Sequence, residues 1–186
     1  MRGVVPRHGL VVANHVSYLD ILALSVAFPC VFVSKRQVAD WPAFGLFARM
    51  PGSVFVDRER RGAVGQAAEK MREILGQGIC VALFPEGTSS GGSGLLSFKP
   101  SLFEPVAALG CPLTPAALRY ELADGSVREE IHWWGDASLT PHLLNMCGKK
   151  RIDATVVFGE PLRRAGDRKT IARELHGEVT ALRAAG

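Results

Sequence analysis

Leu10-Val11-Val12-Ala13-Asn14-His15-Val16-Ser17-Tyr18-Leu19-Asp20-Ile21-Leu22 holds the key to this chain. Leu10 to Ala13 is a short apolar run with two β-branched residues, too brief for a helix and suited to a buried strand. Ser17-Tyr18-Leu19-Asp20 ahead of a further apolar run has the form of a helix start, with a hydroxyl cap and an acid at the third helical position. Strand, polar loop and capped helix in that order make one β–α unit. The same pattern recurs along the chain.

Working outward, Cys30 to Val33, Val54 to Val56, Ile79 to Phe84, Leu113 to Leu118 and Ile152 to Phe158 read as further strands. Between the third and fourth strands, Ala63 to Gln77 sets Val64, Ala67, Ala68, Met71, Ile74 and Leu75 on one helical face. A helix is expected after Pro100, and another over Asp167 to Arg183. Alternation of this kind predicts an α/β layered domain with a largely parallel central sheet flanked by helices. At 186 residues, with no linker rich in proline or charge, the chain is expected to be a single domain over 1–186. The patch Ser89-Ser90-Gly91-Gly92-Ser93-Gly94 reads as a flexible loop by composition, Trp133-Trp134 as a packed strand end, and the basic clusters Lys149-Lys150-Arg151 and Arg163-Arg164 as solvated faces.

Composition narrows the function. Apolar residues at 47% and charged residues at 22% exclude a disordered chain. Cys30, Cys80, Cys111 and Cys147 form no CxxC pair, which points away from a zinc site and toward reduced thiols. The net charge of +4 favours anionic partners but is too small to argue for nucleic acid. The most apolar stretch, Ile21 to Val33, falls short of the roughly 18 residues needed to span a bilayer, and the start lacks the pattern of a signal peptide.

Each of the first four strands runs into polar residues: Asn14-His15, Lys35, Asp57-Arg58 and Glu86. In a parallel sheet these carboxyl ends share one edge, where α/β proteins bind ligands. His15 and Asp20 would lie about 140° apart on one continuous helix. With His15 in the loop before the cap, Asp20 in the first turn can point back at it, fix its tautomer and turn the other ring nitrogen outward as a base. Spacing alone leaves a simpler reading open, in which Asp20 caps a helix and His15 is a loop residue. No GxSxG serine or motif-flanked cysteine offers a nucleophile, so the pair would activate a hydroxyl on a substrate.

Asn14-His15-Val16-Ser17-Tyr18-Leu19-Asp20 resembles the NHxxxxD block of the glycerolipid acyltransferases. Gly52 to Arg58 is similar to the second block, Phe84-Pro85-Glu86-Gly87-Thr88 to the third and Pro112-Leu113-Thr114-Pro115-Ala116 to the fourth. The four blocks fall in order within residues 9–120. The resemblance implies transfer of a fatty acyl group from a thioester, acyl-CoA or acyl carrier protein, to a lysolipid hydroxyl such as that of 1-acyl-glycerol-3-phosphate. It implies His15 as general base and Asp20 as its orienting acid. Arg58, Glu86, Gly87 and Thr88 carry over as acceptor-site residues, with Lys35 as a phosphate contact. No metal and no other cofactor is implied, nucleic acid is not a partner, and the expected location is peripheral, on the cytoplasmic face of the cell membrane.

Two departures bear on the acceptor. Members often continue the third block with arginine, whereas this chain has Ser89 after Thr88, which leaves room for a phosphate-free lysolipid such as a lyso-ornithine lipid. Many members also carry an N-terminal membrane-binding extension, and this sequence begins almost at the first block. Two readings of other classes remain: a metal-dependent hydrolase using His15, Asp20 and Glu86 as ligands, and an inactive lipid-binding module.

Overall fold

The computed structural model describes residues 1–35, 54–56 and 63–185. The strands are β1 (Gly9–Ala13), β2 (Val31–Lys35), β3 (Val54–Val56), β4 (Cys80–Leu83), β5 (Pro112–Leu122), β6 (Ile152–Phe158) and β7 (Leu162–Arg163). The helices are α1 (Leu19–Ala27), α2 (Ala63–Gly76), α3 (Glu104–Leu109), α4 (Val127–Glu130), α5 (Leu139–Cys147) and α6 (Arg168–Ala184), with a 3₁₀ turn over Pro100–Phe103 ahead of α3. The sheet order is β3-β2-β4-β1-β5-β6, and β7 pairs with β5. Pairs β1–β4, β1–β5, β2–β3 and β2–β4 are parallel, while β6 and β7 run antiparallel to β5. The expected largely parallel sheet is present, with its antiparallel part confined to one side.

Alternation along the central strands explains the layers. Leu10 and Val12 of β1, with Val81 and Leu83 of β4, face one core that also holds Met71 and Ile74 of α2 and Ile171, Leu175 and Val179 of α6. Val11, Ala13, Cys80 and Ala82 face the opposite core, which Leu24, Ala27 and Phe28 close from the α1 side. A strand buried on both faces must be apolar at every position, and all five residues of β1 are buried. A third cluster, Val16, Tyr18, Tyr120, Ile131 and Met146, lies beyond the carboxyl end of β1 and backs the loop that follows it.

β5 is long enough to reach that third cluster. Its first half pairs with β1 up to Ala13–Ala116, and its second half continues to Leu122 on β6 alone. Asn14 extends the ladder by one step. Its side-chain amide donates to the Leu118 carbonyl at 3.2 Å, and its carbonyl oxygen accepts from the Leu118 N–H at 2.7 Å. The main chain of β1 is thereby released from the sheet at His15 without orphaning the β5 backbone.

Three local expectations are corrected. Trp133-Trp134 ends no strand but lies in the loop between α4 and α5, with Trp133 meeting the Tyr18 ring edge-on at 5.9 Å. The serine–glycine patch is packed over Ser90 to Gly92, while Ser93 and Gly94 are exposed. Ser90 is 8% exposed, and a Cβ on Gly91 or Gly92 would come within 2.8 Å of the Trp134 ring or 2.2 Å of the His132 ring. These glycines serve close approach, which composition cannot distinguish from flexibility. Arg164, read with Arg163 as part of a solvated face, is buried against α6, pairing with Glu178 at 2.7 Å.

The start of β1 depends on Gly9, whose φ is +100° and whose absent Cβ would lie 2.3 Å from the Pro112 carbonyl oxygen. Gly9→Ala should therefore destabilise the fold by about 2 kcal/mol or more, through left-handed strain and a backbone clash. Urea denaturation of the two proteins checks this, and an unchanged midpoint would refute it.

Candidate active site

β1 delivers His15 to the carboxyl edge of the sheet, and β4, the adjacent strand, delivers Glu86. Between His15 and α1 the chain turns sharply, with the Asp20 N–H donating to the Ser17 carbonyl at 3.1 Å. The helix begins at Leu19 with Tyr18 in the cap position, one residue later than expected, so Asp20 is the second helical residue. The Ser17 hydroxyl accepts from the Leu19 N–H at 3.4 Å, while Asp20 reaches back along the chain.

That reach settles the geometry of the pair. Asp20 Oδ2 accepts from the Val16 N–H at 2.7 Å, the Ser17 N–H at 3.0 Å and His15 Nδ1 at 2.7 Å. Asp20 Oδ1 accepts from the Tyr120 hydroxyl at 2.7 Å. The carboxylate is fully buried, and a buried charge is tolerable only when so surrounded by donors. The helix N-terminus adds further positive potential. Because Oδ2 is an acceptor in every contact, Nδ1 carries the ring proton and Nε2 carries the lone pair. His15 can therefore act as a base.

The ring is held on other sides as well. It stacks on Phe84 with centroids 4.3 Å apart and planes 15° from parallel. The His15 main-chain N–H donates to Glu86 Oε1 at 2.7 Å, and its carbonyl accepts from the Ser90 N–H at 2.9 Å. Its side chain keeps 20% of its exposure, enough for a substrate to reach one edge.

Glu86 occupies a different place from that expected of a residue facing an acceptor. It is 2% exposed, and its other oxygen accepts from the Leu96 N–H at 2.8 Å. It therefore ties the loop after β4 to the loop after β1. Burial lifts its carboxyl above the ordinary 4.5, against the pull of the two backbone donors. Gly87 closes the turn after Pro85 with a positive φ of 76°, its N–H bonded to the Phe84 carbonyl at 3.1 Å. Thr88 beside it is exposed. Lys35 ends β2, the strand next to β4, but its side chain and the whole of Arg58 lie outside the described residues. β3, which leads to Arg58, adjoins β2.

No group of three or more His, Cys, Asp or Glu side chains suited to a metal occurs among the described residues. The hydrolase alternative needs His15, Asp20 and Glu86 to converge on one point. Instead both carboxylates turn their oxygens to protein donors. Tyr120 and Asn14 are the residues that the sequence reading did not single out for a role. Asn14 stood in the first block, but its β5 partner is 104 positions away.

Glu86→Gln should leave one of the His15 and Leu96 N–H groups facing an amide NH₂, costing about 1–3 kcal/mol at pH 7 and loosening the base. A carboxyl lifted on folding stabilises most below its unfolded value and loses that contribution as pH rises through the folded one. The stability gap between wild type and Glu86→Gln should thus be widest in acid and narrow toward neutrality. Urea midpoints measured across that range check the sign; a gap that widens with pH would mean the N–H donors outweigh burial.

This arrangement matches known proteins in its blocks and in its fold. The Acyltransferase family profile matches residues 3–119. A lyso-ornithine lipid O-acyltransferase from Brucella abortus is 36% identical, over 93% of this chain and 70% of its own length. A 1-acyl-sn-glycerol-3-phosphate acyltransferase from Neisseria gonorrhoeae is 35% identical, over 82% of this chain and 60% of its own length. This chain thus spans only part of those relatives. The crystal structure of the 1-acyl-sn-glycerophosphate acyltransferase PlsC from Thermotoga maritima shares the fold at a TM-score of 0.60, with 23% identity, covering 98% of this chain and 70% of that one. With its first and third blocks meeting at the sheet edge around His15 and its fourth block paired along β1, the chain belongs to the acyltransferase family.

Proposed function

We propose that the chain, as one acyltransferase domain, moves a fatty acyl group from a thioester to a lysolipid hydroxyl. The observation that carries this reading is the His15 ring, tied through Nδ1 to buried Asp20 and partly exposed at the sheet edge. Nε2 takes the proton of the acceptor hydroxyl as its oxygen attacks the thioester carbonyl. The tetrahedral adduct then collapses, the carbon–sulfur bond breaks, and His15 returns the proton to the departing sulfur. Asp20 compensates the imidazolium charge in between and does not itself change protonation. Acyl-CoA or acyl carrier protein supplies the thioester, and neither a metal nor another cofactor enters the scheme.

The acceptor headgroup has two readings. Ser89 stands where an arginine would add a cation, and the Brucella relative is named for a lyso-ornithine lipid, which together favour a phosphate-free, zwitterionic head. The Neisseria relative is named for 1-acyl-sn-glycerol-3-phosphate, and Lys35 with Arg58 would supply charge for its phosphate. We favour the first. We place the chain peripherally on the cytoplasmic face of the membrane, where it would meet a bilayer-resident acceptor; no helix among the described residues is long and apolar enough to cross a membrane.

His15→Ala should lower kcat by roughly 10²–10⁴ and leave the protein folded, since the ring lies in a loop. Product analysis with both thioester donors checks this, and near wild-type transfer by the folded variant would sink the mechanism. Arg58→Ala, assayed on lysophosphatidate and on a lyso-ornithine lipid, separates the acceptor readings. Should the phosphate-free head be the native acceptor, wild type should prefer it and Arg58→Ala should impair lysophosphatidate more. A wild-type preference for lysophosphatidate would reverse that choice.

A further inference from the structure

We infer that Tyr120 is a positioning residue for the His15–Asp20 pair, holding the carboxylate so that it presents Oδ2 to the imidazole. The inference rests on the proposed role of His15 and extends it to a residue four positions beyond the last of the four blocks.

The geometry begins in β5. Where β1 leaves the sheet, the Asn14 amide is fastened to Leu118, and Tyr120 follows two residues on, on the same face of the strand. β6 pairs with this part of β5 through Leu118–Val156, Arg119–Thr155 and Tyr120–Ala154, so the backbone under Tyr120 is part of a ladder rather than a loop. The ring is 7% exposed and packs among Val16, Ile131 and Met146. Its hydroxyl reaches Asp20 Oδ1 across a separation of 100 residues.

The two oxygens of Asp20 are held from different directions. Oδ2 takes the local donors, Val16 N–H, Ser17 N–H and His15 Nδ1, and Oδ1 takes Tyr120. A carboxylate turns about its Cβ–Cγ bond with only a broad preference. Fastening one oxygen to a sheet fixes that rotation. Burial and the neighbouring Asp20 charge hold the phenol well above its ordinary range, so Tyr120 stays protonated as a donor. Without it, Oδ1 is a buried charge-bearing oxygen lacking its partner, and the carboxylate gains by turning toward other donors. His15 Nδ1 then loses its aligned acceptor, the tautomer with the proton on Nε2 becomes populated, and that tautomer offers no lone pair at the nitrogen facing the substrate.

Tyr120→Phe keeps the ring and its packing and removes only the donor. In the full chain kcat should fall roughly tenfold, as expected for a charge-bearing buried acceptor left short by one bond, with KM for thioester and lysolipid unchanged. In substrate-free protein, the downfield His15 Nδ1 proton should shift or be lost to solvent exchange in the NMR spectrum. Because Tyr120 acts through Asp20, adding Tyr120→Phe to Asp20→Asn should lower kcat little further. An unmoved Nδ1 resonance, a wild-type kcat, or losses that multiply in the double variant would assign Tyr120 to packing alone. The resting-state spectrum needs no substrate, so it judges Tyr120 even should wild type fail to transfer an acyl group; that failure would instead reject the proposed reaction.

Discussion

The carboxylate of Asp20 is the group on which the arrangement at the sheet edge depends. It carries a charge at full burial, which is unfavourable by several kcal/mol unless donors replace the lost water. Four do so, from the loop after β1, from the His15 ring and from β5. Meeting that requirement fixes three things together: the turn into α1, the tautomer of His15 and the distance of the loop from β5. One carboxylate thus holds the turn ahead of α1, the His15 ring and β5 together, while the cap position of α1 itself falls to Tyr18.

Glu86 solves a related problem from the neighbouring strand. Its two oxygens bridge the main chains of His15 and Leu96, and the Ser90 N–H returns a bond to the His15 carbonyl. His15 is therefore constrained through its ring nitrogen, its ring face and both of its peptide groups. In the proposed reaction, a side chain fixed this closely loses little orientational freedom when substrate arrives, which is where much of the advantage of an intramolecular reaction originates. The cluster of Val16, Tyr18, Tyr120, Ile131 and Met146 supplies the apolar backing that makes these polar contacts strong.

Local signals carried most of the fold. Apolar runs of four to six residues marked the central strands because a parallel strand covered on both faces leaves few polar positions to interrupt it. The helical stripe of α2 and the tail helix α6 were equally visible, and α6 opens on Asp167, which accepts from the Lys169 and Thr170 N–H groups. Signals that depend on a distant partner were misread. Gly91 and Gly92 looked flexible but are pressed under Trp134 and His132, and Arg164 looked solvated but is buried beside Glu178. Short α4 and α5 had too few turns to declare a period.

What the sequence determined by itself was the chemistry and its sheet edge: a strand ending in His15, an acid five residues on, a second acid after β4, and blocks in family order. Those features are local in the chain, and their spacing follows from strand and helix geometry. Only the tertiary structure decided the long-range partners of these groups. Glu86 turned inward to backbone, Asn14 joined β5, and Tyr120 came to the second oxygen of Asp20. The reason is physical. A buried polar atom must be satisfied by whichever partner the packing brings within about 3 Å, and for Asn14, Glu86 Oε1 and Asp20 Oδ1 that partner lies 71 to 104 residues away.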